Sequence, residues 1–165
     1  MAWQNEMTTI VRNLINDIDG TSYTDSRIET VILVATQLLS TQVDFGNSYT
    51  IDVDLLSLTP DPTTVEPKDN DFINLVCLQA ALIILRSEAK TLAAQSYRIT
   101  DGPSSIDISA AYKGLQEQVK EMQDLLDWAI AGYTTGALNG AGGQAILTPY
   151  TVVNQQSRYY NLYNR

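Results

Sequence analysis

The sequence predicts a mainly α protein: a small bundle of about four helices with a short β-strand or hairpin insertion and an extended C-terminal arm. Three observations lead there. Apolar residues recur at three- and four-residue spacing in four separate stretches. A single stretch, residues 48–58, changes to strict alternation. The charge also stops abruptly. Residues 1–131 carry all 19 acidic residues and all the basic ones except Arg158 and Arg165, so 132–165 holds no acid. The chain therefore reads as a folded body, 1–131, followed by an arm, 132–165.

In the first stretch Trp3, Met7, Ile10, Val11, Leu14, Ile15 and Ile18 share one helical face. This predicts a helix of about four turns ending at Asp19 and Gly20, since glycine accepts the positive φ of a helix stop. The second stretch starts in a Thr/Ser/Asp-rich segment. Ser26 with Glu29 reads as a capping box, and Thr24 is the alternative cap. Its stripe is Ile28, Val31, Ile32, Ala35, Leu38 and Leu39, and the helix fades between Thr41 and Asp44. Tyr49, Ile51, Val53 and Leu55 then alternate with Thr50, Asp52 and Asp54, the pattern of an edge strand or hairpin. The rest of the body offers no evident β partner, so the arm or a neighbouring subunit is expected to supply one. Residues 59–67, with Pro60, Pro62 and Pro67, form a stiff connection.

The third helix is expected from Asp69 or Asn70, with Asp69 and Asp71 suiting the positive end of its dipole. From Phe72 to Leu85 it is apolar almost all round and so central; from Arg86 to Gln95 one side turns polar. It should be about 28 residues, roughly 40 Å long. Residues 97–106 read as a loop around Asp101, Gly102 and Pro103. The fourth helix is expected from Asp107 to Ala131. Its stripe is Leu115, Val119, Met122, Leu125, Leu126, Ala129 and Ile130, and Glu117, Lys120, Glu121, Asp124 and Asp127 mark its wet side. In the arm only residues 145–153 look β-like, and Pro149 restricts them to an edge.

Composition removes whole classes of function. The chain has no histidine and a single cysteine, Cys77. An intramolecular disulfide, a cysteine-based zinc site and a Ser-His-Asp or Cys-His mechanism are thereby excluded. A net charge of −9 disfavours a simple nucleic-acid binder. The N-terminus shows no signal-peptide pattern. The apolar run Phe72–Leu85 is shorter than the roughly 20 residues a bilayer requires, so no membrane partner is expected. Asp17 and Asp19 fail the spacing of a calcium loop: Gly20 comes too early and Glu29 one position late. Asp52 and Asp54 share a strand face but lack a third ligand. Gly140, Gly142 and Gly143 lack the lysine and strand-to-helix setting of a phosphate loop. No catalytic, metal or cofactor residue is assigned, and an enzyme is not expected.

What remains is interaction chemistry. The arm ends in Arg158, Tyr159, Tyr160, Tyr163 and Arg165, with Tyr150 upstream. Tyrosine and arginine are enriched at binding hot spots, and these six are the candidate partner-binding residues. Glu117, Glu121, Asp124 and Asp127 are candidate channel-facing acids if several copies ring a DNA duplex.

Three passages, residues 23–35, 72–85 and 98–107 with the following helix, give the body a layout that resembles the head–tail connector (adaptor or head-completion) proteins of tailed bacteriophages. The resemblance implies a structural virion protein of the neck, made in the host cytoplasm. It implies a ring, usually a dodecamer, beneath the portal that extends the DNA channel without reading DNA sequence. The partners it implies are further copies of the chain, the portal and a downstream neck or tail protein, with no cofactor. The alternatives are another phage neck or tail-completion protein, or a non-viral helical protein-binding module.

Overall fold

The computed structural model describes residues 2–95, 98–101, 104–107 and 109–134. Its contacts cluster into two units, Met1–Asp127 and Trp128–Arg165. The order is α1 (Ala2–Leu14), α2 (Asp25–Leu39), β1 (Thr50–Asp52), β2 (Ser57–Thr59), α3 (Asn70–Gln95), β3 (Arg98–Asp101), β4 (Ser104–Asp107) and α4 (Ser109–Thr134). The class is mainly α, with four helices and two short antiparallel hairpins among the described residues. The arm residues Tyr150, Arg158, Tyr159, Tyr160, Tyr163 and Arg165, and the β-like piece 145–153, lie outside the described residues.

The core forms where α1 and α2 pack on α3. Trp3, Met7 and Val11 of α1 and Ile28, Ile32, Leu33 and Leu39 of α2 are buried against Phe72, Ile73, Val76, Ala80 and Leu82 of α3. Spacing of three and four puts the α1 and α2 residues on single stripes. α3 buries residues on nearly every side as far as Leu85. At 26 residues it is long and apolar enough to cross a membrane, but its apolar half is the bundle's own centre.

Several ends differ from the sequence expectation, each for a local reason. α1 stops at Leu14, short of Gly20. Asn16 takes a positive φ of 58°, the Asp17 N–H reaches back to the Arg12 carbonyl at 2.9 Å, and the Asn16 N–H reaches that of Asn13 at 3.4 Å. That is a Schellman stop built on asparagine. Ile18 therefore leaves the stripe and is 66% exposed. Thr24, not Ser26, caps α2, its side-chain oxygen accepting the Arg27 N–H. At α3 the cap is Asp69, whose Oδ1 accepts the Phe72 N–H at 3.1 Å.

The alternating strand finds its partner next door. β1 pairs antiparallel with β2, Ile51 opposite Leu58, so neither arm nor neighbour is needed to complete it. The turn is held by the Leu55 N–H on Asp52 Oδ1 at 2.9 Å and by Leu56 at a φ of 48°. Asp54 falls in this turn, beyond the strand, and does not share a strand face with Asp52. Residues 98–107 are likewise not a simple loop: Arg98–Asp101 pairs with Ser104–Asp107.

Candidate interaction surfaces

The loop carboxylates are occupied with structural work. Asp17 is almost buried and accepts the N–H groups of Ser22 at 3.0 Å and Tyr23 at 3.1 Å and the Arg12 guanidinium at 2.7 Å. The Ser22 N–H above all, then the Tyr23 N–H and the Arg12 charge, hold its carboxyl below the usual range, against the opposing effect of burial. Asp61 accepts the Trp3 N–H at the start of α1 and the Thr63 N–H in its own loop. Asp69 accepts Tyr49 Oη at 2.7 Å and Asn47 Nδ2 at 2.9 Å besides capping α3. Asp17 thus organises the turn between α1 and α2. Among the described residues no group of three acidic or sulfur side chains is placed to hold a metal.

Two other groups titrate far from their ordinary values. Burial, with a smaller push from Glu6, lifts the Cys77 thiol to about 12; its Sγ lies 3.8 Å from the Met7 carbonyl. It stays a thiol at neutral pH and is no nucleophile. The Tyr23 hydroxyl donates to Glu88, and desolvation followed by that hydrogen bond pushes it up to about 12.

The surface of α4 is where interaction chemistry collects. Glu117, Glu121, Asp124 and Asp127 are all exposed. Their three- and four-residue steps place them along one side of the helix. Lys113 and Lys120 fall at the same steps, so the face carries mixed charge, not acid alone. On the opposite side the apolar stripe is only half covered. Among its residues up to Asp127, Leu126 alone is buried, Leu115, Val119 and Met122 are half-buried, and Leu125 is 46% exposed.

Two grooves flank this helix. One, of about 320 Å³, is apolar and is lined by Leu14, Ile15, Leu85, Met122 and Leu125 with Glu121 at its edge. The other, of about 460 Å³, lies between the outer half of α3 and α4, with Arg86 and Lys90 on one wall and Lys120 and Gln123 on the other. Gln123 lines this second groove: its Oε1 accepts from Arg86 across it, and its Nε2 donates to Asp127 Oδ1 at 2.7 Å along α4. Among the described residues, no ion pair involves Lys90 or Lys120. Sequence reasoning missed this cationic cleft. The one trace in the chain is the four-residue step from Arg86 to Lys90; Lys120 joins them only through the α3–α4 packing.

Comparison with family models, curated proteins and solved structures found no match to any of the three.

Proposed function

We propose that the chain is a structural subunit of a tailed-bacteriophage neck, a head–tail connector that assembles as a ring beneath the portal. In this reading it extends the DNA channel and offers a docking surface to the next neck or tail protein. It performs no catalysis and binds no cofactor.

The observation that carries the proposal is the half-covered α4. A helix whose stripe runs through Leu115, Val119, Met122 and Leu125 and buries just Leu126 is packed for a neighbour as much as for its own bundle. The helix leads directly into residues 135–165, which hold no acid, four tyrosines and two arginines. A segment of that composition has no means of making its own core, and it binds well where many copies are held together. The resemblance itself rests on the sequence layout of a short helix, an Asp-Gly turn, a capped second helix, a proline-rich connection with a strand, a long apolar helix and a final helix after residues 98–107, and the observed helix order is compatible with it.

Native mass measurement with negative-stain imaging of the purified full-length chain tests the proposal. Closed rings with a central opening are expected, alone or on addition of a portal. A compact monomer or dimer under every condition would sink the connector reading and favour a helical binding module.

A further inference from the structure

Among the large apolar side chains of the described residues, the most exposed sits at the β1–β2 tip. Leu55 is 77% exposed, although its backbone is fixed by Asp52, and Leu56 beside it is held in the left-handed region. Asp54, next to Leu55, is exposed and forms no ion pair among the described residues. A leucine presented on an ordered turn with a carboxylate beside it is an amphipathic plug.

The α3–α4 cleft has the complementary chemistry. Ala89, Val119 and the aliphatic stems of Lys90 and Lys120 among its lining residues can offer an apolar floor, and the lysine ammonium groups supply positive charge. None of the residues lining it is acidic. Three of the chain's 10 basic residues meet there, in a molecule with 19 acidic ones. A cavity of about 460 Å³ accommodates a leucine side chain together with a neighbouring carboxylate. Plug and cleft are not joined within one chain, since Leu55 stays exposed and is absent from the cleft's lining. The hairpin is anchored near the start of α3, where Tyr49 stacks on Phe72 at 4.0 Å, whereas the cleft begins at Arg86. That separation is about 21 Å along the helix axis.

We propose that the cleft receives the β1–β2 tip of a second copy of this chain, with Leu55 on the aliphatic floor and Asp54 between Lys90 and Lys120. The contact joins two different surfaces, so each copy offers a plug to one neighbour and a cleft to the other. Such a heterologous contact generates a ring when its rotation closes. It rests on the ring reading above and names the subunit contact within it.

Disulfide trapping on the full-length chain tests the contact. Cys77 is buried and stays silent, so Leu55→Cys and Ala89→Cys supply the reactive thiols. On oxidation, a mixture of the two variants should give a covalent dimer that neither variant gives alone. In sedimentation, Asp54→Lys and Lys90→Glu should each weaken self-association about tenfold, and the two changes combined should largely restore it. All these sites are exposed or half-buried, and unchanged circular dichroism will show that folding is intact. If the wild type forms rings and the charge variants form them equally well, the contact is overturned while the ring reading stands. Loss of DNA or polyphosphate binding in Lys90→Glu with assembly unchanged also overturns it, in favour of an anion site. A wild type that never self-associates removes both the contact and the ring.

Discussion

The guanidinium of Arg12 sits 2.7 Å from the carboxylate of Asp17, across the turn that ends α1. Its other nitrogen reaches the Tyr23 carbonyl at 2.9 Å and the Asp25 carboxylate at 2.5 Å. One side chain thereby ties the end of α1 to the start of α2. Gly20 is where the turn makes room for it. Gly20 has a φ of 65°, and a Cβ there would lie 3.2 Å from the guanidinium.

Asp17→Asn should therefore lower the thermal midpoint and change the shape of the acid limb. The folded pKa of Asp17 is lowered, so its contribution is present above the unfolded value, about 3.9, and is lost as pH falls through the folded value. Wild-type stability should fall on acidification below about pH 4. The variant should show a shallower fall there, having lost that contribution already. Urea titrations between pH 2 and 7 would measure it; identical slopes in the two proteins would count against the role given to Asp17.

Tyr23→Phe addresses the opposite limb. The Tyr23 pKa is raised, so folding favours the protonated phenol, and this stability is lost as pH rises from about 10 towards about 12. The phenylalanine variant should be less stable at neutral pH by about 1 kcal/mol, the worth of a hydrogen bond to a charged partner on a partly solvated site. Its stability should decline less steeply above pH 10. Chemical denaturation at pH 7 and pH 11 would show both.

Thr8 offers a gain. Its hydroxyl is buried and has no hydrogen-bond partner. Thr8→Val keeps the shape and removes the orphaned donor, so it should stabilise the body by about 1 kcal/mol. A raised urea midpoint with an unchanged m-value would bear this out, and a lowered midpoint would contradict it.

Deleting residues 135–165 should leave the helical circular dichroism signal and the core intact, because among the described residues every buried one lies between Trp3 and Leu126. On the connector proposal, incorporation into the ring should be abolished. A truncated chain that enters rings or necks at wild-type levels would refute the fastening role of the arm.

Much of this fold was legible in the chain, for a physical reason. Helical stripes such as Ile28, Ile32, Ala35 and Leu39 record what must be hidden, and burial then follows spacing. Ends were harder. Asn16 replaces the expected Gly20 as the α1 stop because asparagine tolerates positive φ, a tolerance that composition does not flag. The hairpin at 98–107 reads as a loop in the sequence because each strand has a single apolar residue, Ile99 opposite Ile106, which is too few to show alternation, and Asp101, Gly102 and Pro103 are turn formers. For α4, periodicity identified the apolar residues but did not say how fully they would be covered. The cationic cleft was illegible in principle, since Arg86 and Lys120 are brought together by packing, not by sequence proximity.

The opening helix is fastened by parts of the chain that come much later. Asp61 holds the Trp3 N–H, Lys68 pairs with Glu6, and α3 covers Met7 and Val11. On the ribosome, where domains fold as units once their contacts are available, α1 can meet α2 early, but its stripe is not fully covered until α3 has cleared the exit tunnel. Its apolar stripe therefore stays partly bare while residues 15–95 are being made, and the closing of the core is timed by the third helix and not by the first.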